Sequence, residues 1–285
     1  PLAKGLARCL SVAFLKHPYA WTASGNAKEL DAATPDDLKK FYDAYYQPNN
    51  ALLVVVGKVN AADVKASAEK WFGPIAKAAD PPRPAAAVQE PPQTTKRREV
   101  VDADQVGLTL VGWHIPAAKE KDALVLQVAS ILLGAGETSR IKTRIKTPDA
   151  KTKHSMGVEA GMDTILREDP GIAIAFGAYL DPAQGDAIEA AIFEEVAKVA
   201  AKGPNADELR KAKYQMQSSF LFSIETAQGL GEAIGRSWIA TGSPSTFMRD
   251  ADEIDKISAA DIQRVVKQYF VPDHATVLVI PPKAR

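Results

Sequence analysis

The histidines are the residues of this chain that could bind a metal ion or transfer a proton near neutral pH. The 285 residues include four, His17, His114, His154 and His274, and no two stand in an H-x-x-H, H-x-x-x-H or H-x-x-E-H spacing. A catalytic zinc ion needs three protein ligands, and two of them are commonly histidines on one face of a helix. The sequence therefore predicts no metal site in this chain and no peptide cleavage by this chain alone.

A segment with two glycines, between two predicted helices, is the best candidate for binding a peptide. Gly134 and Gly136 permit positive φ and close approach of another backbone, and free amides of the next helix could receive a carboxylate or a peptide carbonyl. The alternative is a helix C-cap followed by a new N-cap at Thr138 or Ser139, and the G-x-G pattern does not separate the two. Gly134, Gly136, Ser139 and Arg140 are therefore candidate substrate-binding residues.

Cys9 and His17 are interpreted as structural residues. Cys9 shares one face of a predicted helix with Leu6, Leu10 and Ala13, which favours a small buried apolar side chain over a reactive thiol. A single cysteine also excludes a disulfide within the chain. His17 lies in a loop and precedes a proline, which is typical of a cap or turn residue rather than one that orients a substrate.

Hydrophobic periodicity and breaker residues predict the elements that would position these side chains. Helices are predicted at 2–16, 35–46, 61–72, 119–133, after Ser139, at 186–202 and at 206–240, and strands at 51–57, 98–101, 105–115, 153–160 and 171–180. Beyond residue 97 the strands come in adjacent pairs separated by helices. That order predicts an α+β fold in which helices cover one face of a mainly antiparallel sheet.

The chain contains an internal repeat. TPDDLKKFYDAYYQPNNALLVVV at 34–56 and SAADIQRVVKQYFVPDHATVLVI at 258–280 align without gaps, and His274 takes the place of Asn50 in the turn. Each copy has a Thr or Ser cap, an amphipathic helix, a proline that stops the helix and a β-branched run typical of a strand. We therefore expect two homologous domains with equivalent helix, turn and strand.

A proline-rich stretch separates the two domains. Residues 80–93, DPPRPAAAVQEPPQ, contain five prolines and no sustained apolar period, which indicates an extended, semi-rigid linker. The predicted units are residues 1–79, the distal half of the first domain, 80–97, the linker and lead-in, and 98–285, a second domain that folds alone. Because the first copy of the repeat already ends at residue 56, we expect the front of the first domain to lie upstream of Pro1.

Three segments carry a resemblance to a known family. HPYAWTASG at 17–25, the run from TPDDL to FGPI at 34–75 and LLGAGETSRI at 132–141 resemble successive segments of the pitrilysin/insulinase-type zinc peptidases, a group that includes the mitochondrial processing peptidase. The resemblance spans nearly the whole chain. It implies a clamshell of two like domains, each a helix-covered sheet, of which only the N-terminal one binds metal.

The family chemistry implied by the resemblance uses an inverted zinc motif, H-x-x-E-H, with a further Glu downstream. The motif Glu acts as general base on the metal-bound water. By the resemblance these residues precede the HPY loop at 17–19 and would lie before Pro1. Zinc is thus expected in the intact protein and not in this chain.

The resemblance also implies a peptide-contacting pair in the second domain. Many family members place an Arg and a Tyr just beyond the glycine segment, where they reach a peptide near the zinc. In this sequence Lys146 falls near the Arg position and His154 near the Tyr position. Both depart from the expected residue types, and Lys lacks the bidentate fork of Arg.

Two principal functions remain open from the sequence, beside a third in which the fold serves only as a generic interaction module. The chain is either the non-catalytic part of a zinc metalloendopeptidase that walls a chamber for unfolded or short peptides, or an inactive family member that serves as a subunit or scaffold. In both cases the expected partners are a peptide, the missing N-terminal segment or a catalytic partner, and a second copy of the chain.

Composition excludes several other partners. Thirty-five Lys and Arg balance thirty-five Asp and Glu, which removes the bulk electrostatic argument for nucleic acid or an anionic membrane. No apolar run approaches the ~20 residues of a membrane-spanning helix. The compartment stays open, and a signal peptide upstream of Pro1 would make it periplasmic.

Overall fold

The computed structural model describes residues 2–23, 25–83 and 88–283. The helices are α1 Leu2–Ala13, α2 Ala27–Ala32, α3 Pro35–Tyr45, α4 Ala61–Phe72, α5 Lys121–Gly134, α6 Arg140–Lys146, α7 Gly185–Lys202, α8 Ala206–Ser223, α9 Ala227–Thr241, α10 Thr246–Glu253 and α11 Ala259–Tyr269. The strands are β1 Arg97–Val100, β2 Gly107–Ile115, β3 Glu159–Ile165, β4 Gly171–Tyr179 and β5 Ala275–Ile280.

One five-stranded sheet organises the second half of the chain. Its order is β1-β5-β2-β4-β3, and every neighbouring pair is antiparallel except β1 with β5. The central strands β2, β4 and β5 are almost continuously buried, as expected for strands covered on both faces. The predicted α+β fold with a helix-covered, mainly antiparallel sheet is therefore confirmed.

The sheet is covered on its second face as well. Side chains of α5, α6, α7 and α11 form one core with Val111, Trp113 and Ala175 of the sheet. On the opposite face α1 packs against the sheet through a second core that includes Leu10, Leu110 and other apolar side chains. The sequence predicted helices on one face only, because a contact between residues 100 positions apart leaves no local signal.

A glycine lets α1 approach the strands closely. A Cβ atom at Gly5 would lie 2.9–3.2 Å from side-chain carbons of Leu108, Leu110 and Ile280. Cys9 is fully buried on the same face, and burial raises the pKa of its thiol to about 12. This agrees with the apolar role predicted for Cys9. The packing of α1 also argues against the expectation that 98–285 folds alone.

The two copies of the repeat have the same local structure. Thr34 and Ser258 each cap an eleven-residue helix through a capping box with Asp37 and Asp261, and each helix is followed by a one-turn 3-10 helix, Pro48–Asn50 and its counterpart with His274. The predicted strand at 51–57 is wrong, however. The backbone is extended at Ala51, yet no strand among the described residues pairs with it, whereas β5 has a neighbour on each side.

Two further predicted elements differ from the structure. The strand expected at 153–160 begins only at Glu159, because residues 149–154 form a turn in which the Asp149 carboxylate accepts the N–H groups of Lys151 and Thr152. The helical run at 206–240 is two helices, α8 and α9, since Thr226 caps a new helix.

The linker has no helix or strand at 80–83 or 88–93, and residues 84–87 lie outside the described part. It is nevertheless tied to the chain on both sides. The Glu90 carboxylate accepts backbone N–H groups of Leu15, Lys16 and His17 at 2.8–2.9 Å, and the Gln93 amide donates to the Ala275 carbonyl oxygen. The linker thus holds the end of α1 beside the sheet.

Candidate functional site

The two candidate glycines occupy the junction between α5 and α6. Gly134 ends α5, and a Cβ there would collide with the backbone of Met162 in β3. Gly136 has a φ of +90°, and its carbonyl oxygen accepts hydrogen bonds from the Ser139 N–H and hydroxyl groups at 3.2 and 2.8 Å. Ser139 is the N-cap residue of α6. Close packing and a tight turn therefore account for both glycines, and a peptide contact stays a prediction.

Arg140 is engaged in an ion pair. Its guanidinium donates two hydrogen bonds, of 2.8 and 2.7 Å, to the carboxylate of Glu208, and this fork geometry is the strong form of the Arg–carboxylate contact. Glu208 also belongs to the capping box of α8 with Asn205. Partial burial opposes ionisation of Glu208, but the bonds from Arg140 and Asn205 hold the pKa of its carboxyl below the usual range. The pair ties the start of α6 to the start of α8.

Lys146 belongs to a charge cluster on one side of α6. Its ammonium lies 3.3 Å from Glu159, whose other oxygen lies 2.9 Å from Lys142, and Glu137 also bonds to Lys142. The hydrogen bond from Lys142, with help from the Ala160 N–H, lowers the pKa of Glu159 to about 2. The structure thus brings Lys146 together with three neighbouring charges.

His154 stands apart from the other candidates. It is exposed in the turn that begins at Asp149, and its ring forms no hydrogen bond to any residue that the structure describes. The six candidates therefore divide into a packed junction (Gly134, Gly136, Ser139 and Arg140), a paired lysine and a free surface histidine.

Sequence reasoning missed a large cleft elsewhere. A cavity of about 790 Å³ lies between the turn from β3 to β4 and helices α8, α9 and α10. Its lining includes Tyr19, Arg167, Phe220, Arg236 and Phe247. These residues come from distant parts of the chain and form no motif, so no local signal in the sequence indicates the cleft.

Comparison with known proteins gives the family. Residues 32–216, more than half of the chain, match the family described as Peptidase M16 inactive domain. The chain belongs to the M16 peptidase family. This confirms the resemblance to the pitrilysin/insulinase-type zinc peptidases drawn from the sequence.

Named relatives of this M16 chain include zinc proteases. Zinc protease PqqE of Helicobacter pylori is 26% identical over 277 residues, which cover 96% of this chain and 61% of the relative. The probable mitochondrial-processing peptidase subunit beta of Arabidopsis thaliana is 23% identical over 283 residues, with 95% and 52% covered. Ninety residues, 30% of this chain and 19% of the relative, are 32% identical to cytochrome b-c1 complex subunit 2 of Rattus norvegicus.

The fold of the M16 chain also recurs in solved structures. A protease from Helicobacter pylori superposes with a TM-score of 0.89 at 24% identity, over 99% of this chain and 67% of that one. The M16 chain thus spans about three fifths of the first of these relatives and about half of the second.

The residues present do not fit a zinc ion. Among the residues described, no three His, Cys, Asp or Glu side chains come together as a metal-binding group. His17 instead caps a 3-10 turn, where its Nδ1 accepts the Tyr19 N–H, and its Nε2 lies 3.4 Å from Asp169. Burial lowers the pKa of His114, whose ring centre lies 4.7 Å from that of Phe14. No helix in the described ranges is both long and apolar enough to cross a bilayer.

Proposed function

We propose that this M16 chain forms the metal-free wall of a peptide-binding chamber in a zinc metalloendopeptidase and supports cleavage of unfolded or short peptides without carrying the chemistry. The observation behind this proposal is that a match to the family's inactive domain coincides with a well-packed sheet whose described residues contain no metal-binding group. Zinc would be held by an H-x-x-E-H motif in a part of the intact protein that this chain does not contain.

The chamber wall would include the end of α6 and the turn after it. Lys146 keeps a third of its side chain exposed and His154 is exposed, so both could reach a peptide carbonyl or carboxylate. Gly134, Gly136, Ser139 and Arg140 would support that surface, because their polar groups already have partners within the chain. We also propose the division into 1–79, 80–97 and 98–285, with α1 as the exception that packs across it.

A second candidate function is that of a non-catalytic subunit that binds a partner protein. The stretch that is similar to a subunit of the cytochrome b-c1 complex favours it. So does a set of exposed aromatic side chains in the first unit, namely Trp21, Phe41, Tyr42, Tyr46, Trp71 and Phe72. Exposed apolar patches of this kind mark interaction surfaces.

Zinc content and hydrolysis of a quenched peptide test the two functions. Residues 1–285 alone should hold no stoichiometric zinc after dialysis and should not hydrolyse the peptide, whereas the intact protein should do so in a chelator-sensitive way. Tight binding of one zinc per chain with hydrolysis by 1–285 would overturn the proposal. An intact protein that lacks zinc and activity but forms a stable complex would favour the second function.

The wall residues can be tested in the intact protein. Lys146→Ala and His154→Ala should raise KM with little change in kcat, because they would remove binding that is equal in the ground and transition states. Lys39→Ala, which removes an exposed lysine paired with Asp43, is the matched control and should leave both constants unchanged. Unaltered kinetics in both test variants would remove these residues from the chamber.

A further inference from the structure

Arg167 is a charged group without a partner in the large cleft. Its guanidinium lies 4.6 Å from the centre of the Tyr19 ring, and it makes no ion pair or hydrogen bond to any side chain in the described ranges. The residue is half-buried, and its own carbonyl oxygen accepts the Ala118 N–H, which holds the turn in place. A guanidinium has five N–H donors, so Arg167 presents an unused fork at the cleft.

Tyr19 positions that fork. The Asp169 N–H donates to the Tyr19 hydroxyl at 3.3 Å, and the ring of Tyr19 stacks edge-on against Phe14, whose ring is buried beneath it. Arginine stacked on an aromatic ring keeps its planar edge available for hydrogen bonds. The contact with Tyr19 therefore leaves the N–H groups of Arg167 available for a planar anion.

The rest of the cleft combines an apolar wall with one basic and two acidic side chains. Phe220 and Phe247 pack with ring centroids 5.9 Å apart and line the cavity. Arg236 adds a second positive charge that is weakly paired, at 3.8 Å from Glu232. Of the two acidic lining residues, Asp250 lies 3.8 Å from Arg249, and Glu168 is exposed to water.

We propose that this cleft binds the free C-terminal carboxylate of a short peptide whose last side chain is apolar. The carboxylate pairs with the fork of Arg167, assisted by the charge of Arg236, and the apolar side chain packs against Phe220 and Phe247. A volume of about 790 Å³ is in the range of ordinary ligand sites. The inference rests on the proposed function in taking a peptide as the ligand, but it needs no catalytic activity.

Calorimetric titration of residues 1–285 with two matched peptides tests the proposal. N-acetyl-Ala-Ala-Phe as the free acid should bind about tenfold or more tightly than its C-terminal amide, since a bidentate charged pair is lost in the amide. Arg167→Gln should reduce that ratio to about one. Arg210→Gln, on α8 and paired with Asp207 outside the cleft, is the control and should keep it. Circular dichroism checks that both variants are folded.

Several outcomes would overturn the assignment. Equal binding of acid and amide by the unchanged chain, or an acid preference that survives Arg167→Gln, would remove Arg167 from the site. Binding of 3-phenylpropionate as tightly as the tripeptide would assign the cleft to small aromatic acids instead of peptides. If residues 1–285 prefer the free acid but the intact protein shows no zinc-dependent cleavage, the binding site is supported and the proposed function is refuted. If the intact protein cleaves peptides but residues 1–285 bind acid and amide equally, the proposed function is supported and the binding site is refuted.

Discussion

Leu10→Ala tests whether α1 is part of the second unit's core. Leu10 is 4% exposed and packs in the core between α1 and the sheet. Leu15, just past the end of the same helix, is 61% exposed, so Leu15→Ala removes the same atoms without opening a cavity. Only the first substitution should weaken the sheet if α1 is integral to it.

The magnitude follows from burial. Truncation of a buried leucine to alanine costs about 2–5 kcal/mol through lost burial and the cavity left behind. The second core lies between one helix and three strands and can close only by moving the helix, so we expect about 3 kcal/mol within that range. The exposed Leu15 should cost less than about 0.5 kcal/mol. A loss of 3 kcal/mol is a large part of the stability of a typical domain.

Urea unfolding followed by tryptophan fluorescence measures the difference. Of the four tryptophans, Trp113 is fully buried on the other face of the sheet, and its indole N–H donates to the Val271 carbonyl oxygen. The other three are exposed, so the change in emission on unfolding reports mainly loss of the sheet around Trp113. Leu10→Ala should lower the urea midpoint of that signal and Leu15→Ala should not. Equal midpoints for the two variants would refute the claim that α1 stabilises the sheet, and would restore the expectation that 98–285 folds alone.

Three further predictions concern the linker, the α6–α8 contact and the aromatic face. Burial opposes ionisation of Glu90, but its three backbone N–H donors hold its pKa below the usual value. The ionised Glu90 should therefore stabilise the fold fully above about pH 5, and this stabilisation should be lost as pH falls through the lowered pKa. In thermal unfolding measured against pH, Glu90→Gln should reduce the loss of stability in acid, and the exposed control Glu29→Gln should not. Arg140→Ala should lower the free energy of chemical unfolding by about 1–2 kcal/mol, because it leaves the partly buried carboxylate of Glu208 without its two charged hydrogen bonds. Arg210→Ala, at an exposed ion pair, should lower it by at most about 0.5 kcal/mol. Equal losses would contradict the role of Arg140 in tying α6 to α8. Light scattering should show concentration-dependent self-association of 1–285 that Phe41→Glu reduces; a monomer at all concentrations would refute it.

Local signals in the sequence were sufficient for most of the elements. The caps at Thr34 and Ser258 and the prolines after each repeat helix predicted boundaries that the structure reproduces within a residue or two. The strand placed at 153–160 failed because its apolar pattern is weak and a carboxylate at Asp149 stabilises a turn instead. A side chain that competes for backbone N–H groups overrides a marginal strand preference.

The site was harder to predict because its residues meet only in three dimensions. The sequence indicated the glycine segment, but both interpretations of it, a peptide-binding segment and a helix C-cap followed by an N-cap, rest on neighbouring residues only. The close contact of Gly134 with β3 and the pairing of Arg140 with α8 depend on packing between elements. The cleft at Arg167 is lined by the HPY loop, the connection between β3 and β4 and three helices, so no spacing along the chain could have indicated it.

The two copies of the repeat show which features depend on the local sequence and which depend on the surrounding structure. In α3, Leu38 and Tyr42 are 64% and 59% exposed, while their counterparts in α11, Ile262 and Val266, are fully buried. The helices have the same caps, length and following turn, so burial is not what forms them. Burial is instead what holds β5 in the sheet. Residues 51–56 have the same sequence pattern without that support, and they pair with no strand in the described part of the chain. An extended segment becomes a strand only when a neighbour accepts its hydrogen bonds. Any partner that covers α3 should therefore also supply a strand beside residues 51–56. Protection of the amides of 51–56 from hydrogen exchange when the partner is bound would show this pairing.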